Sequence, residues 1–451
     1  MDENTGSSAY DTSGNGSTGS WNGTGSHWGP GKFGSGAIFN GSDDYISSSS
    51  NATFNGGGTW SFWIYPQTKS GSNRTVASNT GNGCGAFTEQ SGNNFRVEFN
   101  CYFVSQTGCW LSSFGIPVNQ WSHVAITYDW SSTSNVPIIF INGISQIMTQ
   151  SQAPIGTSPS PSGFYMGGVG SGTFLGRLDD VKHYNYIRTP AQIAYDYNRG
   201  APVAWYKFDE CQGTTANNAA PAASGGDSSM DGTITAGTSG GNNDSAGSCN
   251  SGAADPTNEM WNDGTIGKYN SSLGFDGTND YVSVADNNSL DSTSDLSISL
   301  WVNANDWAGG VERTLVKKDE NYILRKDEAA GLGGTGLKLY WWDGTDLDVH
   351  IVSLPSTSVW HHIVGTVENN TTRKIYVDGI LQSGTDDLDN TCCGNRVLTN
   401  ILEIGSGLGG TESFNGQIDD VKIFNYALSA SQVKNLFNNG AVYFGPVTGS
   451  P

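Results

Sequence analysis

The chain has 451 residues, room for two domains of roughly 200 residues each, with 62 Gly, 11% aromatic and only 14% charged residues. That mix, with 14 Trp, excludes a disordered chain and a helical bundle and suits short strands joined by turn-rich loops. A net charge of −21, from 42 acidic against 21 basic residues, argues against nucleic acid and anionic membrane surfaces as partners, because no basic stripe displaces counterions.

The segment TWSFWIYP (59–66) alternates in the strand manner, with Trp60, Phe62 and Ile64 opposing Ser61, Trp63 and Tyr65. FNGSDDYI (39–46) precedes it, and NQWSHVAITYD (119–129) and FINGISQ (140–146) follow. The NG pair at 142–143, between apolar runs, reads as a hairpin turn. GRLDDVKHYNYIRTPAQI (176–193) then passes from a strand to a short helix with a Thr cap.

Past Gly200 the pattern restarts. FDGTNDYV (275–282), SISLWVNA (297–304), SVWHHIVGTVE (358–368), YVDGILQ (376–382) and GQIDDVKIFNYALSASQV (416–433) repeat the earlier segments, at offsets of 236 to 240 residues. The sequence therefore predicts a tandem duplication: residues 1–200, residues 201–441, and a tail or linker over 442–451. Each copy reads as an antiparallel β-sandwich ending in one short helix.

The copies start differently. Copy two opens with a full strand, VAWYKFDE (203–210), whereas MDENTG at the start of copy one aligns only with FDECQG (208–213). Either the chain continues upstream of Met1, or another chain supplies that strand. After the second helix, NNGAVYFGPVTGSP stands where NRGAPVAWYKF follows the first. Head-to-tail donation of a strand between copies is thus one alternative, and continuation into further tandem domains is the other.

No run of about 18 apolar residues predicts a membrane span. No charged-then-apolar leader follows Met1, yet the loop-rich composition reads as exported, extracellular or at a cell surface. Seven Cys lie at 84, 101, 109, 211, 249, 392 and 393, without zinc-type spacing. Cys211 and Cys249 bracket a Gly/Ser/Asn-rich insertion that a disulfide would staple. Two of Cys84, Cys101 and Cys109 pair in the same reading, leaving one over, and Cys392 and Cys393 are adjacent. Reduced, buried thiols are the other reading.

The set FDGTNDYV, LSISLWV, VWHHIVGTV, YVDG and GQIDDVKIFNYALSASQV resembles the laminin G-like, concanavalin A-like jelly-roll domains of bacterial surface and secreted proteins, over residues 1–200 and 201–441. The resemblance implies an all-β fold of two curved sheets per copy, a structural calcium at the rim, and a role in carbohydrate binding or adhesion.

Within each closing phrase, Asp179–Asp180 and Asp419–Asp420 occupy adjacent strand positions, so their side chains face apart. A buried carboxylate needs a cation or several N–H donors. Calcium takes six to eight oxygens, and the resemblance places it with Asp44 and Asp179 in copy one, and with Asp280 and Asp419 in copy two. The alternative is carboxylates bonding the amides of their own turns.

A glycosidase of this shape needs two carboxylates on one face, about 5 to 9 Å apart. Glu98 and Glu403 each stand alone in their strands, so the sequence predicts no enzyme. His123 and His362, each two residues after a Trp, read as hydrogen-bonded strand histidines. Sugar rings stack on exposed aromatic faces, which makes Tyr340, Trp342 and Trp110, absent from the repeat, the candidate ligand contacts. Two functions fit: an adhesive module binding a glycan or a surface protein, or a structural subunit of a filament, stalk or sheath joined to copies of itself through donated strands.

Overall fold

The computed structural model describes residues 1–48, 56–68, 74–157, 159–168, 172–221, 228–237, 245–249, 259–262, 267–307, 312–327, 335–342, 347–387, 396–407 and 409–438. The chain divides into two compact units, Met1–Tyr197 and Asn198–Pro451. Each is a sandwich of two antiparallel sheets. Among the described residues, no helix is long and apolar enough to cross a membrane.

In unit 1 the smaller sheet centres on β1 (Ser35–Asn40), β2 (Gly57–Pro66), β3 (Ser122–Asp129) and β4 (Leu175–Tyr184), in the order β3-β2-β4-β1. Alternation along β2 decides its two faces. Trp60, Phe62 and Ile64 enter the core with Phe39, Phe99, Val124, Ile126 and Leu178. Ser61 and Trp63 turn to the other side, where Ser61 Oγ and His123 Nε2 share a buried hydrogen bond of 2.9 Å. The closing helix α1 (Pro190–Asn198) covers this side, with Tyr197 stacked on Trp63 at 5.7 Å and Ile193 against Ala125 and Phe140.

Unit 2 repeats the plan. Its smaller sheet contains β5 (Ala204–Tyr206), β6 (Ser272–Asp276), β7 (Leu296–Ala304), β12 (His361–Glu368) and β14 (Asn415–Phe424). Ser299 Oγ and His362 Nε2 are again 2.9 Å apart, and helix α2 (Ala430–Phe437) stacks Phe437 on Trp301 at 5.7 Å. The two histidines therefore bind a serine hydroxyl beneath a helix, a structural place. Ser429 caps α2 with a full capping box closed by Gln432, and Thr189 and Gln192 exchange the same pair of bonds ahead of α1. The larger sheet of unit 2 includes β8 (Arg313–Lys318), β9 (Tyr322–Asp327), β10 (Gly336–Trp342), β11 (Leu347–Val352) and β13 (Leu402–Ile404), in the order β13-β8-β9-β10-β11.

Cys211 and Cys249 are disulfide-bonded across 38 positions, and so are Cys84 and Cys101, which face each other on neighbouring strands. Cys109 is a free thiol. Cys392, Cys393 and the tail from 439 onward lie outside the described residues.

Candidate functional site

The acidic pairs of the closing phrases sit at a β-bulge, where β4 and β14 skip a residue against β2 and β7. Asp180 and Asp420 take left-handed backbone angles there, φ 45° and 52°. The bulge sends Asp179 and Asp419 inward and leaves Asp180 and Asp420 outside, bridged to Lys182 and Lys422 at 2.7 and 2.5 Å. The two acids of each pair do face apart, through a local kink as well as through alternation.

The inward acids meet main-chain amides. Asp179 accepts from the N–H of Phe33 at 2.8 Å and of Asp180 at 2.7 Å, and Asp419 accepts from Tyr269 at 2.8 Å. Asp44 accepts from Gly25 and Asn40 at 3.1 and 3.0 Å; Asp280 accepts from Gly237 and Asp276, both at 2.9 Å. Asp2, Glu3 and Glu210, the third acidic source, take amides too, from Ser35, Tyr10 and Asn217. Burial pushes the Asp179 carboxyl upward, and it pushes Asp419 up to about 8.

The structure does not bring the expected pairs together. Asp44 lies beyond Asn40 at one end of β1, while Asp179 follows Leu178, which pairs with Ala37 near the other end. In unit 2, Asp280 holds the Asp276 amide at the end of β6, and Asp419 holds Tyr269 ahead of its start. Each of these four carboxylates is held by N–H donors, which favour an anion and oppose a cation. Among the described residues no three His, Cys, Asp or Glu side chains converge as a metal site. This donor set does not fit the calcium that the resemblance implies; the carboxylates pin loops to strand ends.

The aromatic residues also part company. Trp110 is a core residue of unit 1, 0% exposed against Phe99 and Tyr128, so it meets no ligand. Its strand turns that side chain between the sheets. Tyr340 and Trp342, two residues apart on β10, do share a face, opposite Trp341 in the core. They are 2% and 5% exposed, packed with Ile323, Leu347, Val349 and Ile351 of flanking strands. Their rings offer no open stacking surface. Trp342 Nε1 is buried without a hydrogen-bond partner.

On the same face of β8, β9 and β13 the residues turn charged. Cross-strand register sets Glu403 opposite Lys317, Lys317 opposite Ile323, and Ile323 opposite Tyr340. Arg325 stands at the centre. Its Nη2 lies 2.8 Å from Glu312 Oε1 and 2.9 Å from Asp327 Oδ2, and its Nη1 lies 3.2 Å from Glu412. The guanidinium also lies 4.6 Å from the Tyr340 ring centre, and the Tyr340 hydroxyl donates to Asp327. Lys317 and the Thr314 hydroxyl reach Glu412 at 3.5 and 2.9 Å. Burial and a bond shared with Glu412 push Glu312 up to about 7. Burial would raise Glu412 too, but that same bond, Lys317 and Arg325 hold it below the usual range. Glu312 keeps 35% of its side chain in solvent, so the array has an open edge. Sequence reading singled out only Tyr340 and Glu403 from this array. Arg325 and Asp327, alternate residues of one strand, are its one local signal.

The model of the concanavalin A-like lectin/glucanase superfamily, in its laminin G form, matches residues 40–194 and 276–434, more than half of the chain. The chain belongs to this superfamily. No curated protein matches it. Among solved structures, this concanavalin A-like chain is similar to domain 4 of AbnA, an extracellular arabinanase from Geobacillus stearothermophilus, solved with arabinotriose. That match has 24% identity, covers 52% of this chain and 98% of that one, and has a TM-score of 0.34. It is also similar to a botulinum neurotoxin serotype D ligand binding domain solved with N-acetylneuraminic acid, at 13% identity, 55% and 52% coverage and TM-score 0.33. A tandem pair of laminin domains from the mouse alpha1 chain aligns at 9% identity, 84% and 87% coverage and TM-score 0.24.

Proposed function

We propose that the chain is a non-catalytic, extracellular binding module, and that unit 2 binds carbohydrate hydroxyls on the charged face around Arg325. One observation carries this reading: Arg325 is fixed by Glu312, Asp327 and Glu412, and Glu312 stays half-open to solvent. A carboxylate accepts two neighbouring hydroxyls at once, and a guanidinium donates to ring or glycosidic oxygens. Such contacts need no stacking ring, in keeping with the burial of Tyr340 and Trp342. The carboxylates converge on one guanidinium, which neutralises them; a glycosidase would hold its two acids apart across a cleft. Adhesion is the expected use of such a module at a cell surface.

The test is a glycan array probed with the full chain, followed by calorimetry on the best ligand. Glu312→Ala and Arg325→Met are expected to weaken binding at least tenfold, while Glu89→Ala on the unit 1 ion pair leaves it unchanged. Binding that survives both unit 2 substitutions would refute the site. A second reading, a subunit assembled through donated strands, is favoured by a separate feature of unit 1.

A further inference from the structure

In unit 2, two strands in succession cover one side of β14. β6 pairs with Asn415–Ile418 side by side with Asp276–Leu273, and β5 continues the cover, with Tyr206, Trp205 and Ala204 opposite Val421, Lys422 and Ile423. Unit 1 has the first cover and lacks the second. β1 pairs with Leu175–Leu178 of β4, and no strand among the described residues continues beside Val181 and Lys182.

The rest of the place is built alike in both units. Glu3 accepts the Tyr10 amide and Glu210 the Asn217 amide, each seven residues ahead. Asn4 and Cys211 share left-handed angles of 59° and 61°. The Asp180–Lys182 bridge matches the Asp420–Lys422 bridge. In unit 2, Trp205 of β5 lies on that bridge: its Nε1 donates to Asp420 at 2.5 Å, and Lys422 Nζ is 4.7 Å from its ring. The covered pair is 14% exposed at both side chains, and the same pair in unit 1 is 38% and 35% exposed. Val421 is fully buried, whereas Val181 is only partly so. Unit 1 thus holds a prepared platform, a strand edge and an ion pair, without the strand and indole that cover its twin.

The strand that fills the place in unit 2 is the segment directly after α1. The segment directly after α2 reads Gly-Ala-Val-Tyr-Phe (440–444), against Gly-Ala-Pro-Val-Ala-Trp-Tyr (200–206) after α1. It is uncharged, and it is rich in the β-branched and aromatic residues that strands favour. We infer that unit 1 accepts residues 442–444 of a second copy of this chain as an antiparallel strand beside Val181 and Lys182, with Phe444 in the place of Trp205. The product is a head-to-tail contact, in which each copy donates at one end and accepts at the other.

Two measurements on the full chain test this. Sedimentation velocity across a hundredfold range of concentration is expected to show mass rising in multiples of 47.7 kDa. The double variant Val442→Pro/Phe444→Asp is expected to stay monomeric. A labelled peptide of residues 440–447 should bind that variant, slowing hydrogen exchange at Val181–Lys182, and a peptide carrying the same two substitutions should bind at least tenfold more weakly. A wild-type monomer that binds no peptide overturns the inference. So does peptide protection located away from β4. A wild-type monomer that binds peptide only after its own tail is disabled also overturns it, because the tail then closes within one chain.

Discussion

Asp419 gives the sharpest quantitative test of how the closing phrase works. The carboxyl is fully buried, with Oδ2 on the Tyr269 amide, and burial raises it to about 8 from a model value of 3.8. A folded value above the unfolded one means the folded state holds the proton longer. The stability this group contributes is complete below pH 3.8 and is lost as pH rises through 8. Each unit of pH in that window costs about 1.4 kcal/mol, so the loss by neutral pH is on the order of 4 kcal/mol. Asp419→Asn keeps the shape and the acceptor for Tyr269 and removes the titration. Relative to wild type, the variant should gain little at pH 4.5 and rise by several degrees in Tm at pH 8, at about 2–4 °C per kcal/mol for a unit this size. Calorimetry with and without a chelator measures it, and the chelator should leave both proteins unchanged. Every other titrating group is common to both proteins and cancels. If Asn is worse than Asp at pH 8, and a chelator erases the difference, a cation holds the ionised form and the amide-staple account is wrong.

Three further outcomes follow from the same structure. Trp110→Ala empties a core position between Phe99 and Tyr128 and should cost unit 1 about 3–5 kcal/mol, read by denaturant unfolding, with glycan binding by unit 2 unchanged. Replacing Cys211 and Cys249 by Ser opens a 38-residue loop and should cost unit 2 about 3–4 kcal/mol, seen as a lower midpoint that matches the reduced wild type. Burial holds His123 and His183 of unit 1 down to about 3, from 6.5. Their depressed values mean that stability present above pH 6.5 drains away as pH falls towards 3, so His123→Gln should flatten the acid limb of the unit 1 melting curve.

The repeat, the sandwich class and the capped closing helices were legible because each rests on local pattern: period two in the strands, Asn-Gly and Asp-Gly at turns, Ser or Thr three residues before Gln. The faces of Asp179 and Asp180 were legible for the same reason, although the bulge that exaggerates their separation was not, since it depends on register against Trp63 and Ser61. That Tyr340 and Trp342 share a face follows from their spacing. Their burial does not, because it is imposed by Ile323, Leu347, Val349 and Ile351 from other strands. The Arg325 array was the hardest to see. Glu312 and Glu412 come from loops far apart in sequence, and only the fold sets both on one guanidinium.

The two units show what duplication does to such a module. Shared residues carry architecture: the Ser–His bond under the helix, the amide-stapled acids and the Asp–Lys bridge occur in both. Chemistry diverges where the copies differ. At the place of the Arg325 network, unit 1 has Glu98 bonded to Asn100 and Cys109, a small neutral set with no cation inside it. Beside β14, unit 2 has a covering strand where unit 1 has an exposed ion pair. Ligand contact therefore belongs to unit 2 and strand acceptance to unit 1, so one chain can bind and link without either task disturbing the shared core.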